Sequence, residues 1–148
     1  MLSGLLMLLF LSAYCPIAHP TAVTDSAETE ALEAVFRHQI NNCYEDRSPQ
    51  LYFLSYKGDD PSDSLMERLK DLGPSKRKRS QMSKFKDKST SEDGILLAIG
   101  VISWKSDVAA KVKGSCGAAP LDAHFYEYRI VKKNRKWMVK SHRLTGVS

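Results

Sequence analysis

The order of apolar and polar positions divides the chain into helices first and strands later. Between residues 24 and 43, apolar side chains recur at helical spacing, which predicts an amphipathic helix. Asp25 is the expected N-cap, and Glu28 follows three residues on, where acidic side chains favour the start of a helix. His38 lies off the apolar face and is expected at the surface or its margin. The predicted buried face consists of Leu32, Val35, Phe36, Ile40 and Cys43.

The next part of the chain predicts one strand and one short helix. The aromatic stretch "PQLYFLSY", residues 49–56, is bounded by turn residues and is typical of a strand. In "GDDPSDSLMERLKDLGP", Asp60 is the expected cap and Pro61 the first helical residue. The closing Gly-Pro pair ends the helix. Its predicted buried face consists of Leu65, Met66, Leu69 and Leu72.

From residue 94 onward the pattern is typical of β-strands. "GILLAIGVISWKSD" predicts one long strand that bends at Gly100. "AAKVKGSCG" and "HFYEYRIVKK" alternate between apolar and polar positions, and "KWMVKSHRL" follows a tight turn at Asn134 and Arg135. The element order predicts an α+β fold, with N-terminal helices packed on a curved antiparallel sheet that ends in a β-meander.

The N-terminal stretch "MLSGLLMLLFLSAYCPIA" predicts export. Its apolar run is shorter than a membrane-spanning helix requires, at about 18 residues. An apolar run followed by small residues and proline is typical of a secretory signal peptide, assigned here to residues 1–22 with Ala18 or Ala22 before the cleavage site. The alternatives are a buried N-terminal helix and an uncleaved anchor. Residues 23–148 then form a single domain, secreted or periplasmic, with no transmembrane segment left.

Two long stretches carry a resemblance to known proteins. "YFLSYKGDDPSDSLMERL" and "VISWKSDVAAKVKGSCGAAPLDAHFYEYRIVKKNRKWMV" resemble small exported bacterial proteins of uncharacterised function, and the element order resembles the cystatin-like and nuclear-transport-factor-like cone folds. Tyr128, Ile130, Trp137 and Val139 carry the hairpin part of this likeness. The chain departs from the pattern at Asn134-Arg135, where the relatives commonly have Asn-Gly, and at Ser115-Cys116, where they have an aromatic pair. The resemblance implies a fold and no reaction.

Removal of a signal peptide would leave two cysteines, Cys43 and Cys116. In an oxidising compartment they could form a disulfide, and only one pairing is open to them. The alternative is two small buried apolar side chains. Because the sequence holds no Cys-x-x-Cys motif and no Cys/His cluster, no metal site is predicted.

Positive charge is concentrated in two blocks, although the net charge of the chain is only +5. Residues 73–88 hold seven basic residues and one acid, and residues 129–143 hold seven and none. If the blocks meet, they form a surface for phosphate, anionic polysaccharide or anionic lipid. If they do not, they are separately solvated edges, the first comprising an edge strand, "SKRKRSQ", and a basic loop at about 80–93. The candidate anion-binding residues are Lys76, Arg77, Lys78, Arg79, Lys132, Lys133, Arg135 and Lys136.

The sequence points to no particular reaction and no cofactor. It lacks the Gly-x-Ser-x-Gly, His-Glu-x-x-His and glycine-rich phosphate-binding motifs. The best catalytic candidates are His124, Tyr126 and Tyr128, which share one strand face and could supply a general base and hydrogen-bond donors. The alternative is an aromatic core face with a histidine at its end.

Three classes of function are therefore predicted. The first, which we favour, is an exported non-enzymatic domain that binds a ligand or partner. The second is a cone-fold enzyme with a hydrophobic pocket. The third is an electropositive module for nucleic acid or anionic surfaces, which would place interleaved aromatic side chains beside its cations.

Overall fold

The computed structural model describes residues 24–44 and 49–148, and the predicted signal peptide lies outside these residues. The fold is a sheet-dominated α+β arrangement with one main helix. The helices are α1 (Asp25–Asn42) and α2 (Asp63–Arg68), with a 3₁₀ turn at Arg79–Gln81. The strands are β1 (Leu51–Tyr56), β2 (Ser75–Lys78), β3 (Met82–Ser83), β4 (Lys86–Asp87), β5 (Ile95–Ser106), β6 (Ala109–Ala119), β7 (Asp122–Lys133) and β8 (Lys136–Val147).

The main sheet has six strands in the order β2-β1-β5-β6-β7-β8. From β5 to β8 it is the predicted antiparallel meander, because each strand joins the next through a short turn. The prediction of a wholly antiparallel sheet is wrong, since β1 runs parallel to both β2 and β5. Long connections, one of them through α2, separate these strands and allow parallel pairing. The sheet is therefore mixed.

Both helices begin at a hydroxyl side chain instead of the predicted aspartate. Thr24 caps α1 by accepting a hydrogen bond from the backbone N–H of Ala27, and Asp25 occupies the first turn. Ser62 caps α2 by accepting from the backbone N–H of Leu65. Asp60 accepts hydrogen bonds from the backbone N–H and the hydroxyl of Ser80 instead, at 2.8 and 2.6 Å, and so links the segment before α2 to the 3₁₀ turn that follows β2.

One core cluster joins α1 to the strands. It includes the fully buried Val35 and Phe36 of α1 together with Leu97 of β5, Val112 of β6 and Tyr128 of β7. No helix in the described ranges is long and apolar enough to cross a membrane.

Two local predictions in the meander are confirmed. The pairing of β5 with β6 shifts register between Ile99 and Ile102, so the long strand is irregular next to Gly100. Asn134 and Arg135 both have positive φ, 51° and 64°, which is the backbone that a tight two-residue hairpin between β7 and β8 requires.

The basic segment forms an edge strand and then a structured turn region. Strand β2 lies at the edge of the sheet, as predicted. Residues 80–93 form more than a loop, because β3 and β4 pair as a small hairpin. The carboxylate of the buried Asp87 organises this region by accepting hydrogen bonds from Ser89 and from the backbone N–H of Thr90. Arg77 of β2 lies 3.4 Å from the same carboxylate.

Asp87 is expected to make the stability of the fold depend on pH at the acidic end. The hydrogen bonds from Ser89 and Thr90, aided by Arg77, lower the pKa of Asp87 from 3.8 to about 2. A lowered pKa in the folded state stabilises the fold above pH ~4, and this contribution is lost as the pH falls through 2. We expect Asp87→Asn to reduce stability at pH 5 and to flatten its decline between pH 5 and pH 2, measured by urea unfolding. The matched control is Asp93→Asn, on an exposed carboxylate of the same segment, and equal slopes for the two variants would contradict the assignment.

Candidate functional site

Strand β7 places the three catalytic candidates on one side of the sheet. His124, Tyr126 and Tyr128 are alternate residues and so face the same way. Tyr128 is almost fully buried, and burial raises its pKa to about 12. A phenol with so high a pKa keeps its proton near neutral pH and does not act as a base. We call the side of the sheet on which these three residues lie the inner face. This side also faces α1.

Two histidines complete this cluster: His38, which was expected only at the surface or the margin of α1, and His142, which the sequence did not single out. Nε2 of His38, from α1, lies 3.0 Å from Nδ1 of His142, from β8. The His38 ring meets Tyr128 edge-on at 5.7 Å, and the His142 ring lies 5.8 Å from that of Tyr126. Burial, and then the neighbouring His142, lower the pKa of His38.

A bulge explains why His142 was missed. Simple alternation from the buried Trp137 would place Ser141 on the inner face and His142 on the outer one. The pairing of β7 with β8 shifts register between Arg129 and Ile130, so that His142 lies opposite Tyr128. Downstream of such a bulge, each residue of the strand points to the face opposite to the one that simple alternation predicts. No residue type in "VKSHRL" signals that a bulge occurs there.

The end of α1 fixes the other side of the cluster. The side chain of Gln39 donates to the backbone carbonyls of Ala98 and Ser115, at 3.4 and 3.3 Å. Cys43 caps the helix and forms a disulfide with Cys116 of β6, which is the pairing that the sequence left open. The helix end is thereby bonded to the centre of the sheet.

This inner cluster is a packed contact with little space for a ligand. The cavity there measures about 20 Å³, which is room for about one water molecule. Asp122, two residues before His124 on β7, accepts a hydrogen bond from the hydroxyl of Tyr44, and the Tyr44 ring stacks on His124. The described ranges contain no group of three or more side chains that could hold a metal ion. The cluster can share a proton between two imidazoles, and its cavity holds no more than about one water molecule.

The opposite, outer face of β6, β7 and β8 carries a wider cavity of about 290 Å³. We call this cavity the cationic groove. Two rows of paired residues build it, because residues directly opposite one another on neighbouring strands share a face. One row is Lys111, Arg129 and Ser141, and the next is Lys113, Glu127 and Arg143. The groove is lined by Lys111, Glu127, Arg129, Ser141, His142 and Arg143.

Charge in the cationic groove is unbalanced. Glu127 lies 3.7 Å from Nζ of Lys111 and 3.6 Å from Nη2 of Arg143, and its side chain is only 17% exposed. Among the residues that the structure describes, it is the one carboxylate that lines the groove, against three cations. Lys111 and Arg129 stand directly opposite each other, an arrangement of like charges that destabilises a sheet. A bound anion would relieve this repulsion.

The structure does not bring the two predicted basic blocks together. The first block lies on β2 and the second around the β7–β8 hairpin, at opposite edges of the sheet with three strands between them. Much of their charge is used within the fold. Nζ of Lys76 donates to the carbonyls of Leu72 and Pro74, and burial lowers its pKa. Lys78 pairs with Asp63 at 2.6 Å, and Lys132 with Glu30 at 3.8 Å.

The remaining candidates divide between the edges. Arg77 faces Asp87, and Arg79 lies in the exposed 3₁₀ turn that follows β2. Lys133, Arg135 and Lys136 are exposed at the hairpin. Of the second block, residues 129–143, only Arg129 and Arg143 contribute cations to the cationic groove. The sequence missed Lys111, whose place opposite Arg129 follows from long-range pairing.

The chain matches no protein-family model, no curated protein sequence and no solved structure at a significant level.

Proposed function

We propose that this protein is a small exported binding domain, whose cationic groove holds the acidic groups of an anionic polysaccharide. In this proposal α1 covers the inner face of the sheet and leaves the outer face of β6, β7 and β8 open to the ligand. One observation carries the proposal. Lys111 lies directly opposite Arg129 on the neighbouring strand, and these two cations and Arg143 are arranged around Glu127, the one carboxylate of the groove.

The size and chemistry of the cationic groove support a small charged group as the unit of recognition. A volume of about 290 Å³ lies at the lower end of the range for ligand pockets. Guanidinium groups bind sulfate, phosphate and carboxylate through paired hydrogen bonds, while lysine acts as a point charge. Arg129, Arg143 and Lys111 therefore suit one or two acidic groups of a longer chain.

The disulfide between Cys43 and Cys116 supports export, because disulfides persist in oxidising compartments. Sulfated and uronic-acid polysaccharides are polyanions of such compartments. The signal peptide at residues 1–22 and the cone-fold resemblance stay predictions in this proposal.

Polysaccharide is favoured over nucleic acid by the shortage of aromatic side chains near the cations. Sequence-tolerant binding of single strands uses aromatic rings on which successive bases stack. On the outer face, Phe125 is an exposed aromatic, and it lies beside Gly146, beyond the two rows that build the groove. The exposed hairpin at Asn134 and Arg135 adds none.

The test is the affinity for a heparin oligosaccharide, measured by calorimetry at low ionic strength. Neutralising Lys111, Arg129 and Arg143 together to glutamine is expected to weaken binding about 150-fold, since each cation near an anionic surface contributes about 1 kcal/mol. Glu127→Gln is expected to tighten binding about threefold, because it removes the one carboxylate that repels the ligand.

The matched control neutralises Lys133, Arg135 and Lys136, which removes the same charge from the exposed hairpin. The affinity of this variant should stay within about threefold of the wild-type value. The variant loses some long-range attraction, which depends on net charge, but it keeps the direct contacts in the groove. Equal losses in both triple variants would overturn the groove assignment. Tighter binding of a single-stranded oligonucleotide or of anionic vesicles than of heparin would overturn the polysaccharide assignment.

A further inference from the structure

Phe125 lies beside the cationic groove on the same outer face of the sheet. It comes two residues before Glu127 on β7, which places it about 7 Å farther along the strand. Its side chain is 44% exposed. We propose that Phe125 forms a second subsite, on which one sugar ring of the polysaccharide stacks while neighbouring acidic groups occupy the groove. This inference rests on the proposed function and deepens it.

The row of paired residues that contains Phe125 forms a shallow floor. Phe125 lies opposite Ser115 of β6 on one side and Gly146 of β8 on the other. Ser115 lies in turn opposite Ala98 of β5. These three neighbours are small, so the phenyl ring is the large side chain of the row. A Cβ atom at residue 146 would lie 3.7 Å from Cδ2 of Phe125, which shows that the ring lies next to the backbone of β8.

The turn between β3 and β4 bounds this floor at its far end. Phe85 lies in that turn, and Cε1 of its ring is 3.7 Å from the position that a Cβ atom at Gly117 would take. Gly117 follows Ser115 on the outer face of β6, so the half-buried Phe85 fills the next row. The floor therefore extends over one row, about 7 Å along the strand. It suits a single sugar ring better than a run of stacked bases, which uses several aromatic platforms.

A charged sugar matches the combination of an aromatic ring and nearby cations. The C–H hydrogens of a pyranose ring carry a slight positive charge and pack on the negative face of an aromatic ring. Its acidic substituents lie at the rim of the ring. The row next to Phe125 places Lys113 and Arg143 on either side of Glu127. Full affinity then requires both the sugar rings and their charges, which a polyanion without rings does not supply.

The experiment compares a heparin hexasaccharide with a linear polyphosphate of the same net charge, by calorimetry at low ionic strength. Phe125→Ala is expected to weaken heparin binding about fivefold, which corresponds to the loss of one aromatic contact. Polyphosphate binding should stay within about twofold of the wild-type value, because the substitution changes no charge. Phe125→Tyr should keep the wild-type affinity for both ligands. Phe125→Leu keeps an apolar side chain without a flat ring and should behave like Phe125→Ala.

The matched control is Met138→Ala. Met138 is an outer-face side chain with a similar exposure of 45%, and it lies opposite Val131, on the other side of the groove from Phe125. Its truncation should leave both affinities unchanged. Circular dichroism shows whether each variant is folded, and the exposure of Phe125 and Met138 allows either side chain to be shortened without opening the core.

The outcomes separate this inference from the proposed function. Unchanged heparin affinity in Phe125→Ala overturns the subsite and leaves the groove assignment standing. A loss that is equally large for polyphosphate also overturns the subsite, because the ring would then act on the groove and not on a sugar. An equal loss in Met138→Ala would show that any exposed apolar side chain has the same effect, and would overturn it too. No measurable heparin binding by the wild-type protein overturns the proposed function together with the inference.

Discussion

Reducing the Cys43–Cys116 disulfide is expected to lower the free energy of unfolding by about 4 kcal/mol. The bond joins residues 73 positions apart, and a crosslink that closes so long a loop removes much of the conformational entropy of the unfolded chain. It also bonds the end of α1 to a fully buried position of β6. The measurement is urea unfolding of the oxidised and reduced protein, followed by far-ultraviolet circular dichroism.

Substitutions check that the effect comes from the bond. Cys43→Ala, Cys116→Ala and the double variant each break the same crosslink, so their losses should be similar and far from additive. Comparing the reduced wild-type protein with the variants separates loss of the bond from loss of the buried sulfur atoms. Equal unfolding midpoints for the oxidised and reduced protein would contradict the expectation.

The parts of the fold that depend on neighbouring residues could be predicted from the sequence. The bend at Gly100, the turn at Asn134 and the alternation of β6 and β7 all arise from side chains within a few positions of one another. The parallel pairing of β1 with β5 could not be predicted, because it joins segments about 40 residues apart whose patterns fit either direction. The structured turn region around Asp87 did carry a local signal, since an aspartate in a polar stretch often accepts a hydrogen bond from the backbone N–H two residues on, here that of Ser89, in an Asx turn.

The candidate sites were harder to predict because they depend on register. His124, Tyr126 and Tyr128 were grouped on one face by alternation, which holds across a regular strand. His142 joins them only because a bulge in β8 exchanges the two faces. The cationic groove likewise depends on the pairing of β6 with β7, which sets Lys111 opposite Arg129. Charge counting found the excess of cations but could not say which of them meet.

Gly114→Ala is expected to destabilise the fold by about 3 kcal/mol, at the upper end of the cost of overpacking a core. A Cβ atom at residue 114 would lie 2.7 Å from the carbonyl oxygen of Ala98 and 3.2 Å from the ring of Tyr128. It would also lie 3.0 Å from Nε2 of Gln39, whose hydrogen bonds fix α1 to the sheet. The carbonyl of Ala98 belongs to β5, which is paired with β6, so it has little freedom to move away. The side chains of Gln39 and Tyr128 would therefore have to shift to make room for the added methyl group. The measurement is urea unfolding, with the near-ultraviolet signal of the tyrosines as a second readout.

The matched control is Gly100→Ala, in the strand next to β6. A Cβ there would meet only the carbonyl of Lys113, at an ordinary contact distance of 3.8 Å. It should be nearly neutral or slightly stabilising, since alanine has less conformational freedom than glycine in the unfolded chain. A Gly114→Ala variant as stable as Gly100→Ala would show that Gln39 and the inner cluster do not pack against β6 as closely as described. The expected result is a large loss of stability in Gly114→Ala alone, together with an altered tyrosine signal. It would show that the absence of a side chain at residue 114 lets α1 lie close enough to the sheet for His38 to contact His142.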